Sequence, residues 1–387
     1  MANEIVWYDY AEVGAPTLNN AAGSLLDVLS ACLVTGFRVQ TLTSIVVASG
    51  VATGTLAGHS YGNSLMVDIS GAGTALINGR KLITVTGSGT FTFPAPGVAD
   101  GTISGTLVAK RSPLGWSMTR SANVAMISRT DVTATAMSLR LDDSAAAQTY
   151  GNARAIMVES FSDLNTYSGL TPTAAQLSGG QYWMKGANTA TAKSWLLVGD
   201  GRTFYLFTDS TQYPASSYGG LPVGPYAFGD IKSYRAADAY ACMLAGNTSS
   251  TGESMVFGQG SYGLGGSPTA TSLMIARPVS GVGAAIAAQN LSFHRFGGLS
   301  GPPYPSPVDN GLVVSTPVLM FDTSASSGPI RGEARGVADP LANIPTGVLH
   351  KQVLSNLTGS TRDFLAVGFQ LSGSYGHVLF DVTGPWA

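Results

Sequence analysis

The spacing of apolar residues changes near residue 37, from a helical period to a strand period. Before that point one apolar stripe has helical spacing, and it comprises Leu25, Leu26, Leu29, Cys32 and Leu33. The stripe predicts an amphipathic helix within Asn19–Phe37, with Gly36 placed to end it. Such a face must be covered by a neighbouring subunit or by the chain's own domain, so its four leucines are candidate subunit-interface residues.

Beyond residue 37, apolar and polar residues alternate in short runs separated by Gly, Asn and Pro. Runs such as SIVVAS, SLMVDIS, KLITVTG and GTFTFP have the period of two that indicates half-buried strands. The strongest hairpin is SWLLVGDGRTFYLFTD, with its turn at Asp200-Gly201. We therefore predict a mainly β chain, with several β-sandwich-like domains and one N-terminal amphipathic helix.

Changes in pattern along the chain predict four segments. Residues 1–37 form an N-terminal arm and docking helix, and residues 38–112 form a small β-sandwich. Residues 113–298 form a larger β-rich domain. The Pro- and Gly-rich stretch GGLSGPPYPSPVDNG is the best linker candidate, so residues 299–387 are predicted to be a linker followed by a C-terminal β domain.

The composition argues against several classes of partner. Only 11% of residues are charged, against about a quarter in typical proteins, and the net charge is −2. Without a basic stripe to neutralise phosphates, we expect no nucleic-acid partner. The longest apolar runs are interrupted by Gly, Ser or Thr, so we expect no membrane insertion. With no secretory signal and only Cys32 and Cys242 as thiols, we expect folding in a reducing cytoplasm.

One short stretch raises the question of catalysis. GHSYG at Gly58–Gly62 fits the G-x-S-x-G pattern of a serine-hydrolase nucleophile elbow, which requires a helix after the serine. Residues 65–69 instead alternate as in a strand. SYGNSLMVDISG at Ser60–Gly71 also has a near-copy, SYGHVLFDVTG, at Ser374–Gly384, whereas a unique nucleophile has no reason to recur. We interpret Ser60 as the start of a strand, and a serine hydrolase using Ser60 is kept as an alternative.

Other candidate sites have weaker patterns. GQGSYG at Gly258–Gly263 fits a dinucleotide fingerprint, but Gly and Pro stand where its helix should begin. Asp142 and Asp143, with Asp131, could hold Ca²⁺, although a turn or capping role is favoured. The histidines lack metal-ligand spacing, and they are His59, His294, His350 and His377. We predict no catalytic residue, no cofactor and no metal.

Aromatic residues offer a further candidate surface. The stretch YPASSYGGLPVGPYAFGD, Tyr213–Asp230, predicts a loop that presents rigid aromatic rings to a partner or receptor. Its candidate contact residues are Tyr213, Tyr218, Tyr226 and Phe228. Trp116, Trp183 and Trp195 could form a sugar-binding platform, but core packing is the commoner use of such rings.

Several segments, taken in order, resemble virion structural proteins of tailed bacteriophages. The segments are GAPTLNNAAGSLLDVLSACLVTGF, GHSYGNSLMVDISGAGTALINGRKLITV, SPLGWSM, LRLDD, YWMKG, WLLVGDGRTFYL and YAFGDIKSY. More narrowly, they look like a tail-tip or baseplate protein of siphophages and Mu-like transposable phages. The resemblance covers roughly residues 5–250 and none of its segments is specific alone.

This resemblance implies a structural, non-enzymatic protein that is assembled in the host cytoplasm and carried at the virion tail tip. Its partners would be other tail proteins, and it would form a homo-oligomer of three- or six-fold symmetry. A module that binds a host receptor, such as a glycan or pilus, is one alternative. A capsid decoration protein is another.

Overall fold

The computed structural model describes most of the chain, with gaps concentrated after residue 209. The described residues are 5–62, 64–144, 151–186, 189–209, 222–250, 272–291, 305–307, 310–315, 317–322, 328–340, 349–355, 357, 360–371 and 374–386. They form a mainly β, antiparallel structure with one N-terminal helix, which confirms the predicted fold class. No helix within these ranges is both long and apolar enough to cross a membrane.

The helix covers the whole apolar stripe, from Leu25 to Leu33. It consists of α1 (Ser24–Leu29), which continues as a π-helical segment over Ser30–Thr35. Turns precede it because the Asn19 side chain accepts a hydrogen bond from the backbone N–H of Ala21 (2.9 Å). Gly36 ends it with a φ of +71°, a conformation that glycine adopts without a steric penalty.

Short strands make up the rest of the regular structure. The strands of the first third of the chain are β1 (Val6–Asp9), β2 (Phe37–Thr41), β3 (Ser44–Ala48), β4 (Val51–Thr55), β5 (Met66–Ala72), β6 (Gly79–Leu82), β7 (Thr84–Gly87), β8 (Thr90–Pro94), β9 (Gly101–Thr102), β10 (Gly105–Arg111), β11 (Ser117–Ser121) and β12 (Val124–Ser128). Those of the middle of the chain are β13 (Ser138–Asp142), β14 (Ala153–Val158), β15 (Ser160–Phe161), β16 (Tyr167–Ser168), β17 (Gln181–Trp183), β18 (Trp195–Gly199), β19 (Thr203–Asp209), β20 (Pro222–Asp230), β21 (Lys232–Ser233) and β22 (Cys242–Ala245). Those that follow are β23 (Leu273–Ile275), β24 (Ile286–Ala287), β25 (Gln289–Leu291), β26 (Val314–Ser315), β27 (Leu319–Phe321), β28 (Ile330–Glu333), β29 (Val337–Pro340), β30 (Gln352–Leu354), β31 (Phe364–Leu371) and β32 (Ser374–Asp381).

The chain divides into two compact units. The small unit comprises Ala11–Pro16 and Val28–Gly115, and the large unit comprises Met1–Tyr10, Thr17–Asp27 and Trp116–Ala387. The four segments predicted from the sequence stay a prediction.

The small unit is built from two antiparallel sheets. One has the strand order β2-β10-β5-β6 and the other β7-β8-β4-β3-β9. Their alternating apolar residues share one core, in which Val67 and Ile69 of the first sheet join Val47, Phe91 and Phe93 of the second. This is the arrangement that period-two alternation produces when one face of each sheet is buried.

The large unit is organised around a seven-stranded antiparallel sheet with the order β1-β18-β19-β20-β22-β23-β24. The Asp200-Gly201 turn joins β18 to β19, as the hairpin pattern predicts. Other sheets have the orders β11-β12-β13-β14-β17, β15-β16, β21-β28-β27-β25 and β26-β29-β32-β31-β30. One core cluster of the described residues includes Val198 and Phe207 from the central sheet together with Met320 and Phe380.

Candidate functional site

Ser60 lies in an exposed loop of the small unit, and β5 begins only at Met66. The strand therefore starts later than the sequence pattern predicts. Ser60 has a φ of +45°, and its Oγ donates to the carbonyl oxygen of Gly58 (3.3 Å). Its own carbonyl accepts from Nη1 of Arg38 (3.1 Å). A strand follows this loop, whereas a nucleophile elbow requires a helix.

His59, the neighbour of Ser60, uses both ring nitrogens within the fold. Nε2 lies 3.0 Å from the carbonyl oxygen of Gly87 and 3.3 Å from that of Thr90. Nδ1 accepts from the backbone N–H of Tyr61 (3.0 Å). Because carbonyl oxygens only accept, the ring proton is on Nε2. No ring nitrogen of His59 is left to act as a base for Ser60.

The two copies of the Ser-Tyr-Gly stretch have different backbone structures. Ser60 stands in a loop before β5, whereas Ser374 is the first residue of β32. β5 pairs with β10 and β6, and β32 pairs with β31 and β29. The likeness of the two sequences thus extends to the strands, but the Ser-Tyr-Gly residues themselves lie in a loop in one copy and within a strand in the other.

Asp143 has a structural role at the start of the helix. Its Oδ2 accepts from the backbone N–H of Leu25 (2.9 Å), and its Oδ1 pairs with Lys185, which also donates to the carbonyl oxygen of Ala21 (2.7 Å). Both charged side chains are fully buried. Burial raises the pKa of the Asp143 carboxyl, although the positive charge of Lys185 opposes the shift. These contacts match the capping role that the sequence favoured over a Ca²⁺ site.

The remaining metal candidates are dispersed. Oδ1 of Asp131 closes a turn onto Thr133 (2.8 Å), and Oδ1 of Asp142 accepts from the backbone N–H of Ser144 (3.1 Å). No group of three His, Cys, Asp or Glu residues that could hold a metal ion occurs in the part of the chain that the structure describes. His294 and Gly258–Gly263 lie outside the described residues.

Two of the four aromatic candidates lie among the described residues. Tyr213 and Tyr218 lie outside the described residues. Tyr226 and Phe228 belong to β20 and are buried, with Tyr226 stacked on Trp183 (5.6 Å between ring centroids). As placed, these two rings pack inside the chain and are not exposed to a partner. Trp116, Trp183 and Trp195 are likewise buried and form no exposed platform for a sugar.

The apolar face of the helix is also covered within the chain. Leu25, Leu26, Leu29 and Leu33 are all buried. The N-terminal arm pairs with its own chain, because β1 lies antiparallel to β18 in register from Val6–Gly199 to Asp9–Leu196. The helix and the N-terminal arm thus pack on their own chain, which is the second of the two arrangements that the sequence left open.

Both thiols are buried and free. Burial raises the pKa of Cys32 and of Cys242 above the ordinary thiol value. A thiol that stays protonated is a poor nucleophile, so neither residue has the environment of a reactive cysteine.

Described residues of the large unit line two adjoining surface depressions of about 300 and 510 Å³. Lys232 and Arg335 line both of them. Arg362 lines the smaller one, whereas Arg202 and Arg235 line the larger one. We call the two depressions together the cationic cleft, and it is defined by Arg202, Lys232, Arg235, Arg335 and Arg362.

The floor of the cationic cleft is fixed by buried carboxylates. Asp230 is buried and accepts from Nε and Nη2 of Arg202 (3.1 and 2.9 Å) and from the Thr135 hydroxyl (2.7 Å). Asp200 is buried in the β18–β19 turn and accepts from Nη2 of Arg335 (2.7 Å). Buried charges require such pairing, so these carboxylates hold the arginines in place.

No pattern in the sequence indicated that these basic residues form a site. They come from the β18–β19 turn, from β21 and the turn after it, from the β28–β29 turn and from the segment before β31. No basic run marks them, because only Lys232 and Arg235 are close in the sequence, and the others come from distant segments that the sheets bring together.

Comparison with known proteins places the chain in no family. No family model and no curated protein matches it. A solved structure, "Phage phi92 endosialidase", matches at 13% identity over 89% of this chain, with a TM-score of 0.18. The match covers 52% of that protein, so the chain spans about half the length of the structure that it matches. A TM-score this low supports no argument about fold or function.

Proposed function

We propose that the chain is a structural, non-enzymatic component of a bacteriophage virion. It would lie at the tail tip or baseplate, where it links the tail hub to peripheral fibres. The observation that carries this proposal is the ordered resemblance of segments across residues 5–250 to virion proteins of tailed phages. The mainly β, antiparallel fold agrees with such a role.

The side chains with the greatest chemical reactivity are bonded or buried within the fold, which supports a structural role. His59 is bound to the main chain through both ring nitrogens, and the carboxylate of Asp143 is paired with Lys185 beneath the helix. The Cys32 thiol is buried. These contacts stabilise the fold, and none of them sets a nucleophile beside a base.

Assembly in a tail implies symmetry. We expect a homo-oligomer of three- or six-fold symmetry, formed in the host cytoplasm with other tail proteins as neighbours. Because the leucine face of the helix is buried within the chain, subunit contacts would use other surfaces.

Immunogold electron microscopy of purified particles, with antibody raised against this chain, tests the proposal. Label at the tail end is the expected result. Label over the head would make the chain a capsid decoration protein, and particles without label would contradict a place in the virion and return attention to Ser60.

A host-receptor-binding module of the tail is a second candidate, and the cationic cleft is the observation that favours it. Binding of the purified protein to host cells tests this candidate. Retained binding by a variant in which the cleft cations are replaced would direct the search to other surfaces, including the stretch around Tyr218.

A further inference from the structure

The sequence contains two Asn-Gly pairs, Asn78-Gly79 and Asn310-Gly311, and the structure places them in different surroundings. An asparagine followed by a glycine is prone to lose its side-chain amide, because the backbone nitrogen of the glycine can attack the asparagine Cγ. Glycine has no Cβ, so no side chain on the following residue hinders this approach. The exposure and the hydrogen bonds of each asparagine therefore decide which pair reacts in the folded chain.

The side-chain amide of Asn78 is bonded through both of its polar atoms. Its Oδ1 accepts from the backbone N–H of Ala72 (2.9 Å), and its Nδ2 donates to the carbonyl oxygen of Ala72 (2.9 Å). Asn78 is half-buried, and these two bonds close the connection between β5, which ends at Ala72, and β6, which begins at Gly79. Both bonds must break before Cγ of Asn78 can turn toward the nitrogen of Gly79.

The surroundings of Asn310 are different. Its side chain is exposed and makes no hydrogen bond among the residues that the structure describes. Its backbone is held instead, since the N–H of Asn310 donates to the carbonyl oxygen of Ser306 (2.8 Å) and φ is +55°. Asparagine is one of the few residues that adopt this left-handed conformation readily. Because no described contact fixes the amide, the side chain can rotate and bring Cγ toward the nitrogen of Gly311.

We propose that Asn310 is a site of spontaneous deamidation and that Asn78 is protected from the same reaction. The nitrogen of Gly311 forms a bond to Cγ of Asn310, and the Cγ–Nδ2 bond breaks. Ammonia leaves with the proton that the Gly311 nitrogen gives up, and a five-membered cyclic imide remains. Water then opens the imide at either of its two carbonyl carbons, which yields aspartate or isoaspartate at position 310. Water is the co-reactant, and nothing is oxidised or reduced.

The modification has a consequence for packing because Asn310 lies two residues before a core side chain. Leu312 is buried in a cluster that includes Ala338, Leu349 and Phe364. Isoaspartate lengthens the backbone path by one carbon atom, and either product adds a negative charge. We expect the lengthened backbone to disturb the placement of Leu312 and to lower the melting temperature of the modified chain. The proposal goes beyond the proposed function, because it concerns the covalent lifetime of the chain wherever the chain is located.

Incubation of the folded full chain at pH 8.5 and 37 °C, followed by tryptic peptide mapping with mass spectrometry, tests the proposal. Trypsin separates the two sites, because they fall in peptides that end at Arg80 and at Arg331. We expect aspartate and isoaspartate at position 310, and methylation by a protein isoaspartate methyltransferase identifies the isoaspartate. Conversion at Asn78 should be slower by about tenfold or more, because two hydrogen bonds must first break.

Incubation in guanidinium chloride is the matched control, because both Asn-Gly pairs then lack the contacts of the folded chain. The two rates should then agree within about twofold. Gly311→Ala should slow conversion at Asn310 severalfold, since its Cβ hinders the attack, and the measurement in guanidinium chloride does not require the variant to fold. Three results would overturn the proposal. They are an Asn310 that stays intact in the folded chain but converts in guanidinium chloride, an Asn78 that converts as fast as Asn310 in the folded chain, and conversion that Gly311→Ala does not slow.

Discussion

Arg331 shows how a single charged residue is accommodated in this weakly charged chain. Its side chain is fully buried, and its Nε and Nη2 donate to the two carboxylate oxygens of Asp238 (2.6 and 2.8 Å). Nη1 reaches Asp322 (3.0 Å) and the carbonyl oxygen of Arg277 (3.0 Å). The hydrogen bonds from Arg331 lower the pKa of Asp238, although burial acts in the opposite direction. This arginine joins three separate parts of the large unit.

Replacing Arg331 by Met should destabilise the large unit by about 3–5 kcal/mol, because two buried carboxylates would lose their counter-charge. Equilibrium unfolding in urea, followed by circular dichroism, measures the change. Arg120→Met is the matched control, since the Arg120–Asp27 pair is exposed and should contribute about 1 kcal/mol or less. Equal decreases in the free energy of unfolding of the two variants would show that the buried ion pairs of Arg331 contribute no more to stability than an exposed pair.

Two histidines near the C-terminal sheet are held neutral by their surroundings. Burial lowers the pKa of His377 to about 4, with a smaller contribution from His350. Burial and the neighbouring charge of Lys351 lower the pKa of His350 to about 4, while Asp9 and a hydrogen bond from the backbone N–H of Gly368 oppose the shift. An unfolded histidine has a pKa of about 6.5, so both values are depressed by folding.

The sign of the pH dependence follows from this depression. Between pH 6.5 and 4 the unfolded chain binds protons that the folded chain does not, so stability falls as the pH falls through this window. We expect the free energy of unfolding to decrease by a few kcal/mol across it. In a variant with His350→Gln and His377→Leu, the free energy of unfolding should decrease less over the same pH range. Urea unfolding at pH 7.5 and 4.5 measures this difference. Identical pH profiles for the variant and the parent chain would contradict the assignment to these residues.

At the scale of elements, close approach of strands fixes some glycines. Gly71 at the end of β5 has a φ of +78°, and a Cβ there would overlap the carbonyl oxygen of Thr106 in β10. Gly105 has a φ of +124°, and a Cβ there would overlap the carbonyl oxygen of Gly71. The register of β5 against β10 shifts between Gly105 and Val108, so the two glycines permit this bulge.

Gly71→Ala should therefore destabilise the small unit by roughly 3 kcal/mol or more, from the strained φ and the steric overlap together. Gly79→Ala is the matched control, because Gly79 in β6 has a φ of +93° but no heavy atom within 4 Å of an added Cβ. It should lower the free energy of unfolding only by the cost of placing alanine at a positive φ, about 1–2 kcal/mol. Thermal unfolding of both variants measures the difference, and equal losses would mean that β5 and β10 can separate locally.

Much of the element structure could be predicted from the sequence, but some segments could not. Period-two alternation marked the strands, and the leucine stripe marked the helix, because burial of one face dictates both patterns. The stretch Tyr213–Asp230 suggested a loop on account of its Gly and Pro, yet its last nine residues form β20, which pairs with β19 and β22. There tertiary pairing outweighs local propensity.

The cleft could not be predicted for a different reason. Arg202 and Arg335 are more than a hundred positions apart, and neither belongs to a charged run. They line the same depression because Asp200, after β18, and Asp230, at the end of β20, each hold one of them, and both strands pair with β19. A site assembled from isolated residues across several sheets leaves no local pattern in one sequence.

At the scale of the whole molecule, the two units have separate cores. The core of the small unit draws on residues between Leu42 and Ala109, and a core cluster of the large unit draws on residues between Leu196 and Trp386. No residue is common to the two clusters. A cooperative unit is a set of residues that must be buried together, so each core defines its own unfolding transition.

Differential scanning calorimetry of the full chain should therefore show two transitions. Gly71→Ala should lower the transition of the small unit by roughly 10 °C or more, given the usual scaling for a unit of its size, and leave the other in place. Arg331→Met should do the reverse, because its partners Asp238 and Asp322 belong to the large unit. Arg120→Met should move neither transition by more than about 2–4 °C. A single transition that both Gly71→Ala and Arg331→Met displace would show that the two cores unfold as one cooperative body.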